Sequence, residues 1–138
     1  MTTFARLVSL LLGLAVAACA FLPWVLSVNA WHLHVRSLVS PGRNDGVVIA
    51  TSIGLAVTIA AAVVVVGAVL NSRTLVIIGG LVSVAIPAIW ILSNAISGGN
   101  GGVPMTQVQF GAYGAAVAGF MTLILAAVAT DTRVPTAR

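Results

Sequence analysis

The stretch VVIATSIGLAVTIAAAVVVVGAVL, residues 47–70, carries no charged side chain over its 24 residues. An apolar run of about 18 residues or more without charge is long enough to cross a bilayer as a helix. Its four consecutive valines at 63–66 would favour a strand in water. In hydrocarbon, however, an unpaired strand leaves backbone N–H and C=O groups without partners. The run is therefore predicted to be a transmembrane helix.

Three more charge-free apolar runs accompany this one, at residues 7–26, 74–92 and 110–129. The eight charged side chains all lie between or beyond the runs: Arg6, Arg36, Arg43, Asp45, Arg73, Asp131, Arg133 and Arg138. When the weakly polar residues at their ends are included, the predicted spans are 7–26, 47–70, 74–96 and 108–129. We therefore expect an all-α membrane protein in which residues 1–138 form a single domain of four transmembrane helices.

Composition agrees with a membrane location. Hydrophobic residues make up 60% of the chain and charged residues 6%, which leaves too little polar surface for a soluble globule or a soluble catalytic domain. Alanine and valine are the most frequent residues, glycine is also frequent, and arginine is present without lysine. This usage is typical of a GC-rich bacterial genome. A multi-pass protein of the bacterial inner (plasma) membrane, in contact with the lipid bilayer and not with nucleic acid, is the expected class.

The arginines predict the orientation of the spans. With four spans, both chain ends and the turn at residues 71–73 lie on one side, together with Arg6, Arg73, Arg133 and Arg138. The opposite side holds only Arg36 and Arg43. Because cytoplasmic loops carry the excess of basic residues, we expect both termini to be cytoplasmic.

Small residues recur at helical spacing within the runs. Such stripes let helix backbones approach closely, and this is how helices gain packing energy in lipid. The stripe of the fourth run is the most regular, because its bulky residues lie off the small face. The predicted helix-packing residues are Gly54, Thr58, Gly111, Ala115, Gly119 and Thr122.

The first loop contains the chemically varied segment Trp31-His32-Leu33-His34-Val35-Arg36. If the segment is extended, its polar residues alternate with its apolar ones, and two histidines on one face could share a metal. A closed zinc site needs about four ligands, however, and no cysteine or second cluster lies nearby. An amphipathic segment on the membrane surface or on a partner protein is the favoured alternative. The predicted docking residues are Trp24, Trp31, His32, His34 and Arg36.

Cys19, the single cysteine, raises a further alternative. The sequence Val16-Ala17-Ala18-Cys19 is similar to a bacterial lipobox, where cleavage precedes a lipidated cysteine. The apolar run continues through Leu22, which favours a full span over a short signal segment.

Several short motifs carry a resemblance to known proteins. These are Phe21-Leu22-Pro23-Trp24 at the end of the first run, Asn44-Asp45-Gly46 before the second, and the segment 110–114 at the start of the fourth. With these motifs the chain resembles small actinobacterial four-span membrane proteins of unassigned function. In size and architecture it also resembles the small supernumerary subunits of the actinobacterial cytochrome bc–cytochrome oxidase supercomplex. That second likeness implies a place in a respiratory complex.

The residues themselves indicate no chemistry. No run contains Asp, Glu, Lys, Arg or His, although ion and proton pathways need ionisable groups at bilayer depth. Catalytic, cofactor-binding and metal-binding residues are accordingly predicted to be absent. We expect a non-enzymatic accessory subunit or assembly factor of a larger inner-membrane complex whose partners are other integral membrane proteins. The alternative is a small homo-oligomeric transporter of an uncharged or apolar solute, and a membrane enzyme is a more distant third.

The predicted orientation can be tested with reporters fused after Arg138. A reporter that is active only in the cytoplasm should be active there, because four spans and the arginine distribution place the C-terminus inside. A periplasm-specific reporter at the same position should be silent. Activity of the periplasmic reporter would reverse the assignment of every loop.

Overall fold

Four α-helices form the body of the computed structural model, which describes residues 2–26, 28–38, 49–97 and 105–128. The helices are α1 (Thr3–Cys19), α2 (Ile53–Val69), α3 (Arg73–Ser97) and α4 (Phe110–Val128). Between α1 and α2 lie two short antiparallel strands, β1 (Pro23–Val25) and β2 (Val28–Asn29). Single 3₁₀ turns occupy Ala30–His32, Val35–Leu38, Ile49–Thr51 and Met105–Gln107. The predicted all-α class is confirmed for the described residues.

Two of the helices, α3 and α4, are long and apolar enough to cross a membrane by length and composition. Helices α1 and α2 have 17 residues each. At 1.5 Å per residue they are about 25 Å long, against a hydrocarbon core of about 30 Å. The predicted spans 74–96 and 108–129 lie within two residues of α3 and α4 at each end.

Helix α1 differs from the first predicted span, 7–26, at both ends. Helix α1 begins at Thr3 because the hydroxyl of Thr2 accepts a hydrogen bond from the N–H of Ala5 at 3.2 Å, a standard N-cap. It ends at Cys19. Pro23 has no N–H and restricts the residue before it to extended geometry, so the apolar residues that follow the helix form β1 instead.

The second predicted span, 47–70, begins too early. Helix α2 starts at Ile53, where the hydroxyl of Ser52 accepts from the N–H of Leu55 at 3.1 Å. The motif Asn44-Asp45-Gly46 and the glycines at 98–102 lie outside the described residues.

The helices form a square bundle in which α1 packs on α2 and α4, and α3 packs on the same two helices. Neighbours are antiparallel. Arg6, near the start of α1, donates to the carbonyls of Ala68 and Val69 at the end of α2. Arg73, the first residue of α3, donates to the carbonyl of Ala127 near the end of α4. We call this end of the bundle the terminus end and the opposite one the loop end.

Buried residues of α3 and α4 recur at alternating steps of four and three. This is the 3.5-residue repeat of left-handed helix bundles. On α3 the repeat consists of Val76, Gly80, Ser83, Pro87, Trp90 and Asn94. On α4 it consists of Ala112, Ala115, Gly119, Thr122 and Ala126.

The connection from α2 to α3 is a tight Schellman turn. Asn71 has a positive φ of 55°, which asparagine tolerates better than most residues. The N–H of Ser72 donates to the carbonyl of Gly67 at 2.7 Å, and that of Asn71 to Ala68 at 3.3 Å, the two bonds that define the motif. Gly67 is required here, since a Cβ would lie 2.8 Å from the Cβ of Leu75.

Close helix contacts in the bundle occur at glycines. A Cβ on Gly79 would lie 2.8 Å from the backbone nitrogen of Val64 and 2.9 Å from the carbonyl oxygen of Ala60. One on Gly119 would lie 2.9 Å from the Cβ of Ser83. The small residues therefore bring α2 and α4 onto α3 at backbone distance.

This packing predicts a large cost for Gly119→Leu. The added side chain would meet Ser83 and Val84 of α3, and overpacking of this kind typically destabilises by about 1–3 kcal/mol. Thermal unfolding in detergent measures the loss. Val117→Leu is the control, because Val117 is 57% exposed on the outer face of the same helix and should tolerate the extra methylene. Equal stability of the two variants would contradict the packing role of Gly119.

Candidate docking surface at the loop end

Residues 20–26 and 28–38, which we call the loop-end cap, lie across the loop end of the bundle. Backbone hydrogen bonds fix this segment to the starts of two helices. The N–H of Gln109 donates to the carbonyl of Trp24 at 2.9 Å, just before α4. The N–H of Ile53 donates to the carbonyl of Leu33 at 2.8 Å, at the start of α2. The cap is therefore a folded part of the bundle end.

Trp24 is the internal anchor of the cap. Its side chain is 0% exposed, its indole N–H donates to the carbonyl of Cys19 at 2.9 Å, and its ring meets that of Trp90 edge-on at 5.6 Å. Trp24 was predicted to dock a partner, but in this conformation its ring has no exposed surface to offer one. An interfacial tryptophan and a buried one look alike in the sequence.

Two of the predicted helix-packing glycines contact the cap instead of another helix. A Cβ on Gly111 would meet the ring of Trp24 and lie 2.7 Å from the carbonyl oxygen of Pro23. One on Gly54 would lie 2.8 Å from Cγ of Trp31. Both residues are small because the cap approaches the first turn of α4 and of α2, which corrects their assignment to helix–helix contacts.

The other predicted packing residues lie on the bundle helices. Ala115 and Thr122 are fully buried and Thr58 is half-buried. The hydroxyl of Thr122 donates to the carbonyl of Ala118, and that of Thr58 to Gly54, each at 2.8 Å. Both hydroxyls thus bond within their own helix, the usual way to satisfy a hydroxyl in an apolar surrounding.

Trp31 has one face on the bundle and one on the cap. It is half-buried, lies over Gly54, and its ring is 5.5 Å from that of Phe21. Its indole nitrogen is buried without a hydrogen-bond partner among the described residues. The ring of Trp31 thus packs between Gly54 and the exposed ring of Phe21.

The segment 31–36 does not adopt the extended form that the alternating pattern required. It consists of two 3₁₀ turns around Leu33 and His34. Nδ1 of His34 accepts from the backbone N–H of Arg36 at 3.0 Å, and Nδ1 of His32 is 2.7 Å from Oδ1 of Asn29. The two imidazoles therefore have separate local partners.

Metal-ligating side chains are sparse in this region. Across residues 2–26, 28–38, 49–97 and 105–128, no group of three His, Cys, Asp or Glu side chains comes together.

The outer surface of the cap combines apolar and basic side chains. The exposed members are Phe21, Leu22, Leu26, Val28, His32, Val35 and Arg36. No Asp or Glu occurs among the residues that the structure describes. The surface suits a partner with an apolar patch and acidic or hydrogen-bond-accepting groups beside it.

Leu26 is the least expected residue of this surface. It follows β1 and has a positive φ of 49°, a conformation that costs an L-residue about 1–2 kcal/mol and for which glycine or asparagine is typical in hairpins. Its side chain is nevertheless 57% exposed. The position thus combines backbone strain with an exposed leucine.

Sequence reasoning missed two buried residues under the cap, Trp90 and Asn94. The amide of Asn94 donates to the carbonyl of Trp90 at 2.8 Å and is 2% exposed. Both continue the repeat that runs from Val76 through Ser83. That repeat was the signal that could have placed them inside.

Comparison with known protein families, with curated proteins and with solved structures finds no match for this chain.

The anchoring role of Trp24 predicts that Trp24→Ala destabilises the protein strongly. Truncation of a buried tryptophan costs about 3–5 kcal/mol, and here the carbonyl of Cys19 also loses its indole donor. Thermal unfolding in detergent is the measurement. Phe21→Ala is the control, because Phe21 is 63% exposed. If Trp24→Ala unfolded no earlier than Phe21→Ala, Trp24 would not be the anchor of the cap.

Proposed function

We propose that all four helices span the bacterial inner membrane. The outward face of each helix is apolar. On α1 it carries Phe4, Leu7, Leu11 and Leu14, on α2 Ile59 and Val66, on α3 Ile78, Leu81 and Leu92, and on α4 Val117, Phe120 and Ile124. Soluble monomers rarely expose contiguous apolar surface of this extent, whereas lipid covers it.

The positions of the charged side chains also support helices that cross the bilayer. The charged side chains of the described residues are Arg6, Arg36 and Arg73, and all three lie at the ends of the bundle. Helices α1 and α2 are short, but at the loop end the cap extends the apolar surface of the bundle through Phe21 and Leu22. The terminus end then faces the cytoplasm, in agreement with the positive-inside bias.

Within the membrane we propose that the chain is a non-enzymatic accessory subunit or assembly factor that docks through the loop-end cap. The observation that carries this proposal is Leu26. Its N–H donates to the carbonyl of Gln107 at 3.3 Å, but its side chain, 57% exposed at a positive φ, gains little packing within the described fold. Contact with a partner would bury the leucine and offset the strain of this φ, as strained residues tend to lie at functional sites.

The rest of the surface fits this role. Phe21 and Arg36 belong to residue types that are enriched at interfaces, and the backbone beneath them is fixed, so that little ordering entropy opposes binding. The resemblance to supernumerary subunits makes a respiratory complex the first candidate partner.

Leu26→Asn tests this function. Because asparagine tolerates a positive φ, the isolated variant should be more stable by up to about 1 kcal/mol. In mild detergent it should nevertheless co-purify less with its complex, since the apolar contact is lost. Leu70→Asn at the terminus end, which is also an exposed leucine, should co-purify as the unmodified protein does.

Undiminished recovery of Leu26→Asn in the complex would contradict docking through the cap. Purification of the protein as a self-oligomer that binds an apolar solute would favour the transporter alternative instead.

A further inference from the structure

We propose that the terminus end of the bundle binds the headgroups of anionic phospholipids through Arg6 and Arg73. This inference rests on the proposed membrane location but not on the proposed docking. It assigns a lipid partner to the end of the molecule opposite the cap.

The geometry of the two arginines carries the proposal. The Nε of Arg6 donates to the carbonyl of Ala68 at 3.1 Å, and one terminal nitrogen donates to that of Val69 at 3.0 Å. Arg73 uses one terminal nitrogen for the carbonyl of Ala127 at 3.3 Å. A guanidinium has five N–H donors in a fork, so each group is held in place with donors left for an anion.

No carboxylate among the described residues neutralises these charges, because none of those residues is Asp or Glu. The carbonyls that hold the guanidinium groups belong to helix C-terminal turns and carry only partial negative charge. Among the described residues, each arginine therefore has only partially negative partners at the end of its helix pair.

Exposed apolar side chains occur at the same end of the bundle as the two arginines. Phe4 and Leu7 are exposed in the first turns of α1, and Val128 is exposed next to Ala127, the acceptor of Arg73. A free phosphate or an acidic soluble protein gains no binding energy from such apolar side chains. A phospholipid does, because its phosphate lies directly above its acyl chains, and planar guanidinium groups suit phosphate oxygens.

The test compares lipids added to the detergent-purified protein. Phosphatidylglycerol should raise the thermal unfolding midpoint at a lower concentration than phosphatidylcholine does. At about fivefold per arginine, we expect a preference of roughly 25-fold. The double variant Arg6→Gln/Arg73→Gln should lose that preference, whatever its own stability.

Two further variants separate charge from capping. Arg6→Lys/Arg73→Lys keeps the charges and should keep most of the preference, although it weakens the carbonyl bonds. Arg36→Gln, at the loop end, should leave the preference unchanged.

Equal effects of the two lipids would overturn the proposal, as would an equal midpoint shift from inorganic phosphate or loss of the preference in Arg36→Gln. If topology reporters show four spans but the lipid preference is missing, the result contradicts the proposed lipid site and not the membrane proposal. Reporters that show no spans would contradict the membrane proposal as well.

Discussion

The close approach of antiparallel helix backbones is the constraint on which the rest of the structure depends. At Gly79 a Cβ would lie 2.8 Å from the backbone nitrogen of Val64, so the two helices meet with no side chain between them. In lipid, apolar side chains gain little by leaving their solvent, and helices associate through van der Waals contact at small residues. The glycines and alanines of the interior are therefore what joins the four helices.

The antiparallel order also explains the arginines. Arg6 and Arg73 lie in the first turns of their own helices, where the helix dipole disfavours a cation. Each reaches across to carbonyls at the C-terminal end of the adjacent helix, where the dipole favours it. With parallel neighbours both charges would lie among unpaired N–H groups. The pairing of helix directions therefore turns two unfavourable positions into links between helices.

Hydropathy predicted α3 and α4 closely and the first span poorly, for a physical reason. An apolar run reports that residues avoid water, but it does not report whether they do so in lipid or beneath other residues. Trp24 and Val25 are apolar and buried inside the cap and bundle end, and Pro23 had already ended the helical geometry. In the same way, Gly54 and Gly111 are small because the cap lies on them, which no helical spacing distinguishes from a helix contact.

What remained beyond the sequence was the backbone of the cap. The spacing of Trp31, His32 and Arg36 suggested an extended face, but the 3₁₀ turns separate the imidazoles and leave Leu26 at the exposed turn after β1. A leucine at a positive φ contradicts local preference. In a fold whose other local preferences agree with the structure, a residue that violates its preference tends to lie at a functional or strained site. Under the proposed function, the cap, anchored by Trp24 and strained at Leu26, is therefore the part of the molecule that would contact a partner.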